Sequence, residues 1–423
     1  MEKLATVVLF MPFGMVFCLT GVLITIIQAA CFLIIWPLSR NTYRRIVGAV
    51  TEILFLEMIF LMDWLAGLEV RLHTDLETYE LIGKENALVM PNHICDADVL
   101  IMWLLAERFN CLRGALMVMK KSSKYLPIYG WANWFNGAVF LNRNWAKDEG
   151  KLKSSFQELK DFPGSFWLTI FVEGTRITPD KLLAAQEFAI LKGLPVPKNV
   201  LIPRTKGFVT AVQYMRPFVS AVYDVTVAVP KGHPIPSVKR FFRRQPSVVH
   251  FHIKRYATKG LPESDEGVAQ WCKDRFVVKD AMLEEFRAND TFEGKEIRDF
   301  RIRPKKSLIA VIFLSCICSI GAIMFIQRFS LLSNWKGISS LAFAVAFDAI
   351  LIVYKIAGAG KSTGNKRPSG QASLRHTHRH THIYIYSKHL HAVLNLYFYG
   401  DFANGLMGIC SHCEFLESLV RII

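Results

Sequence analysis

Asn92-His93-Ile94-Cys95-Asp96-Ala97-Asp98 is the stretch best equipped for chemistry, because a histidine with a carboxylate in reach can exchange a proton near neutral pH. Inside one regular helix, His93 and Asp98 would point about 140° apart, since each residue advances about 100°. The pair works only with His93 on a loop and Asp98 in the first turn of the following helix. The carboxylate can then reach back to one ring nitrogen and leave the other free for a substrate. The competing reading is a plain loop histidine followed by helix-capping acids at Asp96 and Asp98, and the spacing alone does not choose between them. Cys95 admits a third reading, a cysteine nucleophile, which needs its thiol to face the imidazole.

Three stretches downstream add groups suited to an anionic substrate. Val139-Phe140-Leu141-Asn142-Arg143 puts an arginine at a strand end, a natural grip for phosphate. Phe171-Val172-Glu173-Gly174-Thr175-Arg176 combines a carboxylate that can accept from hydroxyls, a glycine that lets backbone approach a ligand, and a second arginine. Leu201-Ile202-Pro203-Arg204-Thr205-Lys206-Gly207-Phe208 supplies further cations and a turn. Singly, each is an ordinary strand end with a solvated charge; together and in this order they favour catalysis.

The elements that must position these groups are short. Val70–Leu72, Ala87–Met90, Ala115–Met119, Ala138–Leu141, Phe166–Val172, Ala221–Val229 and Ser247–Ile253 read as strands. Val99–Arg108 and Lys151–Lys160 read as helices between them, so the expected class is α/β with a largely buried sheet. The acids of Pro262-Glu263-Ser264-Asp265-Glu266 suit the N-terminus of an amphipathic helix carrying Val268, Trp271, Cys272, Met282 and Phe286.

Composition places this domain beside a membrane. The 423 residues are 52% hydrophobic yet carry a formal net charge of +16, which points to anionic lipid or phosphate-bearing ligands. The long apolar runs argue against nucleic acid as the partner. Nine scattered cysteines, several of them inside apolar stretches, do not form a disulfide framework. Leu4–Leu38 is nearly uninterrupted apolar sequence; as one straight helix it is about 50 Å long against a hydrocarbon core of about 30 Å. It is expected to tilt, break near Pro12, Gly14 or Gly21, or turn back, and to remain as an anchor with Arg40, Arg44 and Arg45 on the cytoplasmic side. Thr51–Leu68, interrupted by Glu52, Glu57 and Asp63, suits a helix lying on a surface, either lipid or the protein's own sheet. Leu308–Ile326 and Gly337–Tyr354 suggest a second, hairpin anchor behind the basic run Arg301–Lys306. The divisions expected are therefore 1–68, 69–300, 301–356 and a tail, 357–423.

That tail is of a different kind. Gly360-Lys361-Ser362 is not a phosphate loop, because Lys355 stands where the motif needs its first glycine. His376, His378, His380 and His382 alternate with Thr or Arg, and Ile383-Tyr384-Ile385-Tyr386 follows. Such alternation is what translated dinucleotide repeats give, so a disordered read-through segment is expected, and Cys410 with Cys413 is a weak metal motif.

The four stretches around His93, Arg143, Glu173 and Arg204 resemble the four sequence blocks of the glycerolipid acyltransferase superfamily. They are most similar to its lysophosphatidic acid acyltransferases of the eukaryotic, plant-like endoplasmic-reticulum type. Lys120-Lys121-Ser122-Ser123-Lys124, Gly130-Trp131 and Trp145-Ala146-Lys147-Asp148-Glu149 extend the likeness over Met1 to about Lys355. The resemblance implies a glycerolphosphate-acyltransferase-like mixed sheet with flanking helices, plus transmembrane helices at both ends. It implies His93 as general base and Asp98 as its partner. Arg143, Glu173, Gly174, Thr175 and Arg176, with Lys206 beyond them, are the expected substrate-binding set. It implies lysophosphatidic acid and acyl-CoA as substrates, no metal, and no cofactor apart from acyl-CoA as co-substrate. It also implies a multi-pass protein of the endoplasmic-reticulum membrane with its catalytic domain facing the cytosol. Ile94 stands where relatives carry a polar residue, and Ala97-Asp98-Val99 where they carry Ile-Asp-Trp, which bears on substrate preference. Acylation of another lysophospholipid, or a catalytically silent lipid-binding protein, are the alternatives.

Overall fold

The computed structural model describes residues 2–292, 297–299 and 304–328. The expected second span at Gly337–Tyr354 and the tail lie outside these residues. Eight strands, β1 (Glu69–His73), β2 (Ala87–Pro91), β3 (Ala115–Lys120), β4 (Val139–Leu141), β5 (Trp167–Thr169), β6 (Ala221–Ala228), β7 (Val248–Ala257) and β8 (Ile297–Asp299), form one mixed sheet. Its order is β4-β3-β5-β2-β6-β7-β1-β8. All neighbours are parallel except β6 with β7 and β1 with β8. Helices α1 (Glu2–Ile34), α2 (Arg40–Phe60), α3 (Leu76–Leu81), α4 (Asp98–Arg108), α5 (Tyr129–Phe135) and α6 (Trp145–Gln157) occupy the first half of the chain. They are followed by α7 (Pro179–Lys192), α8 (Lys206–Met215), α9 (Val238–Phe242), α10 (Asp265–Asn289) and α11 (Lys306–Arg328).

Alternate residues of the central strands enter two cores. Ala87 and Val89 of β2 join Tyr223 and Val225 of β6 under α2 and α4, while Leu88, Met90 and Val222 join α6, α8 and α10. A parallel sheet covered on both faces explains why these strands read as continuous apolar runs rather than alternating ones. Helix α4 is buried nearly all round, Trp103, Leu104 and Leu105 included, because α2 lies over it; Phe55 and Trp103 stack with ring centroids 3.7 Å apart.

The segment Thr51–Leu68 therefore packs on the protein itself. It continues α2 to Phe60 and ends in a π-helical turn, Leu61–Leu65. Its acids are partnered: Arg108 grips both oxygens of Asp63 at 2.7 Å, and Glu57 accepts from Thr20 of α1 at 2.7 Å. The apolar run from Leu4 forms one unbroken helix to Ile34 rather than a hairpin. Thr20 on Glu57 and Gln28 on Thr51 (2.8 Å) fasten it to α2. Phe13–Ile34 and Lys306–Phe325 are long and apolar enough to cross a membrane, with mean hydropathies of 2.4 and 2.7. In α11, Ile309, Phe313, Ile320 and Met324 are exposed, as expected of a surface that faces lipid.

Candidate active site

The site forms at the carboxyl ends of the parallel strands, where open α/β sheets place their ligands. Strand β2 stops at Pro91, which has no amide hydrogen to continue the ladder. Asn92 takes over with its side chain, donating to Val227 O at 3.0 Å and accepting from Val227 N at 2.7 Å. One buried amide thus stands in for a peptide group, and the main chain is released to turn outward at His93.

His93 is then clamped. Its N–H donates to Glu173 Oε1 at 2.8 Å, its carbonyl accepts from Ile177 N at 2.8 Å, and its ring lies 4.5 Å from that of Phe171. Asp98 is the first residue of α4, and His93 Nδ1 meets its Oδ2 at 2.6 Å. Cys95 N donates to the same oxygen at 2.9 Å and Cys95 Sγ to Oδ1 at 2.9 Å, so the carboxylate cannot rotate freely. The Asp98 side chain is 3% exposed and that of His93 21%, an oriented imidazole at the surface with a buried acid behind it. With the proton on Nδ1, Nε2 is left as a base. The Cys95 thiol is buried, and burial together with Asp98 pushes its pKa well up; it keeps its proton and serves as a donor rather than a nucleophile. The N-cap of α4 is Ala97 without a side-chain cap, and Asp96 is exposed, so Asp96 is not the capping acid that the competing reading made of it.

Glu173 is 2% exposed, and its two oxygens accept from two main-chain amides, His93 N and Leu201 N, the latter at 2.9 Å. Burial pushes its pKa up to about 8, opposed by those amides and by the charge of Lys279. It is a brace between two loops rather than a group presented to solvent. Gly174 turns beside it at φ +71°, and a Cβ there would lie 3.2 Å from Arg204 Cδ, so the glycine leaves room for that guanidinium.

Cations gather around this turn. Arg143 sits at φ +63° in the loop after β4, held there by Asp148, whose carboxylate accepts from Asn142 N at 2.8 Å and Asn144 N at 3.0 Å. Burial raises the Asp148 pKa, and these bonds outweigh it and bring the carboxyl below its ordinary value. Burial and then the neighbouring Arg204 lower the pKa of Arg143. Lys181, near the start of α7, is lowered by burial, then by Arg176 and Arg143, while donating to Thr175 Oγ1 at 2.5 Å and Arg176 O at 3.1 Å. Repulsion thus links Arg143 to Arg204 and Lys181 to both Arg176 and Arg143, and a bound anion relieves it. Lys206 opens α8 with its ammonium 5.5 Å from the Trp145 ring and lines a neighbouring groove with Thr205 and Gln213.

Lys181 escapes sequence reasoning, and Arg204 enters it without a role of its own. Lys181 belongs to a helix that the pattern did not single out, although Thr178 as N-cap, Pro179 behind it and Gly193 at φ +62° are ordinary start and stop signals. Arg204 was visible only as part of a basic block. Its main-chain N–H donates to Val172 O at 2.7 Å, and that hydrogen bond brings it to the Glu173 turn.

Residues 68–230 match the family described as acyltransferase, and residues 240–314 the acyltransferase C-terminus. The 1-acyl-sn-glycerol-3-phosphate acyltransferase 2 of Arabidopsis thaliana is 50% identical over 84% of this chain and 92% of its own length. The chain belongs to the 1-acyl-sn-glycerol-3-phosphate acyltransferase family. The 1-acyl-sn-glycerol-3-phosphate acyltransferase 3 of Arabidopsis thaliana is 45% identical over 86% of this chain and 98% of its own. The gamma form of Homo sapiens is 34% identical over 70% and 78%. The solved 1-acyl-sn-glycerophosphate acyltransferase of Thermotoga maritima, at 18% identity and a TM-score of 0.37 over 68% of this chain and 100% of that one, is too loose a likeness to add to the fold described above.

Proposed function

We propose that this member of the family transfers an acyl group from acyl-CoA to the sn-2 hydroxyl of 1-acyl-glycerol-3-phosphate, giving phosphatidic acid and CoA. The observation that carries the reading is the 2.6 Å contact of His93 Nδ1 with Asp98, next to the Glu173 turn around which Arg143, Arg176, Lys181 and Arg204 gather. His93 Nε2 takes the hydroxyl proton as the alkoxide attacks the thioester carbonyl. The C–O bond forms, the C–S bond breaks, and the imidazolium returns its proton to the CoA thiolate. Asp98 fixes the tautomer and steadies the transient positive charge, as a buried carboxylate does in hydrolase triads, with no serine or cysteine in the path. Arg143, Arg176, Lys181 and Arg204 hold the phosphate and so place the alcohol, which is why their loss should lower turnover as well as affinity. The names of the relatives support the acceptor, and the two apolar helices support a membrane location, for which the cytosolic face of the endoplasmic reticulum is proposed.

The test is a microsomal assay with labelled acyl-CoA and a panel of lyso-acceptors. Expected is acylation of lysophosphatidic acid that falls about 10²–10⁴-fold in His93→Ala, the span general-base catalysis contributes. Equal product from wild type and His93→Ala overturns the mechanism; preference for another acceptor overturns the substrate.

A further inference from the structure

Helix α10 lies outside every stretch that carries the chemistry, yet two of its adjacent residues reach the site from behind. Lys279 is fully buried, and its ammonium donates to Met90 O at 3.2 Å and Val225 O at 2.5 Å, with Asp224 Oδ1 at 2.7 Å. Met90 and Asp224 face each other in the β2–β6 register, three residues before His93. The charge of Lys279 is also felt at Glu173. Asp280 accepts from three consecutive amides, Lys198 N at 3.0 Å, Asn199 N at 2.5 Å and Val200 N at 3.2 Å. The next amide along, Leu201 N, is the one that Glu173 holds. Four residues of chain therefore run from the Asp280 cup to the Glu173 brace, and Arg204 follows within three more.

We propose that Lys279 and Asp280 are positioning residues for the acyl transfer, one setting the floor under the His93 loop and the other the loop that delivers Leu201 and Arg204, with Glu173 tied between them. This rests on the proposed acyltransferase reading. An apolar helix face would serve packing as well at this position, since a buried lysine is costly unless it is paired, as it is here by two carbonyls and the Asp224 carboxylate. Of the charged groups facing Glu173, Asp98 opposes its ionisation and Lys279 favours it, and His93 touches it through its main chain. Removing the ammonium leaves Glu173 harder to ionise, and a neutral carboxyl is a poorer acceptor for His93 N and Leu201 N.

The test compares the full-length protein in detergent and lipid with Asp280→Asn, Lys279→Met and Lys279→Met/Asp224→Asn, the last removing both members of the buried pair so that no lone carboxylate is left to unfold the sheet. Hydrogen–deuterium exchange is read over residues 92–95 and 198–204, and kinetics over pH. Expected are faster exchange at 198–204 in Asp280→Asn with a rise in KM for lysophosphatidic acid. In the double variant, kcat falls at least tenfold and the rising limb of its pH profile moves to higher pH. Unchanged exchange in both segments overturns the positioning role whether or not the protein acylates. A folded double variant with wild-type kcat and an unmoved limb also overturns it. A wild type without acyltransfer, with exchange altered as expected, instead overturns the functional reading alone.

Discussion

At the scale of the residue, Asp98 illustrates how much of the site rests on one carboxylate. It receives the His93 ring, the Cys95 amide and the Cys95 thiol. Asp98→Asn keeps the shape but offers an NH2 where two donors now converge, so the imidazole loses its tautomer preference. The expected outcome is a fall in kcat of about 10²–10⁴-fold with KM within a few-fold of wild type, read from initial rates with lysophosphatidic acid varied. The spacing of His93 and Asp98 allowed a pair only with a loop and then a first turn, and it took the three downstream stretches and the family resemblance to favour that reading over a plain loop histidine. Asn92 was not legible, because an asparagine that completes a ladder through its side chain looks, in sequence, like any turn residue. Glu173 was read as facing the ligand; burial against two main-chain amides depends on the Leu201 loop, 28 residues away, and no local pattern encodes that.

At the scale of the element, the turn between β4 and α6 is the least comfortable part of the site and shows what holds it. Arg143 occupies the left-handed region, which costs a non-glycine residue about 1 kcal/mol or more, and the Asp148 carboxylate offsets this by fixing the amides on either side. Asp148→Ala is expected to destabilise the protein by about 1–3 kcal/mol and to raise KM for lysophosphatidic acid several-fold while leaving the His93 dyad intact; thermal melts and saturation curves check the two parts. The strands were legible within one or two residues at most ends, since β-branched and apolar runs bounded by turns leave little choice. Strand β5 is shorter than its apolar run, Trp167–Thr169 against Phe166–Val172, because Ile170 onward turns to build the site. Helix α2 shows the opposite failure. The sequence left open whether it lies on lipid or on protein, and its Glu57, with Asp63 of the turn that follows, is partnered by Thr20 and Arg108, which only tertiary packing brings near.

At the scale of the whole molecule, the half of the sheet beyond β6 carries an acid-sensitive pair. His73 Nε2 and His250 Nδ1 meet at 2.9 Å on β1 and β7, among Phe286 and Phe292. Burial, and then Arg71 for His73 and the partner histidine for His250, depress both to about 4 from an ordinary 6.5. The folded chain thus binds fewer protons than the unfolded chain between these values, so the stability of the neutral pair is fully present above about pH 6.5 and is lost as pH falls towards 4. Melting temperature should drop over that window, and less steeply in His250→Phe; parallel slopes would remove the pair as the cause. The Glu173 brace has a wider consequence. Because it joins two main-chain amides, it ties His93 to Leu201 without any contact from the side chains of Ile94 or Thr175. Substitutions at Ile94 and Thr175 are therefore expected to change substrate preference and leave the His93–Leu201 tie in place.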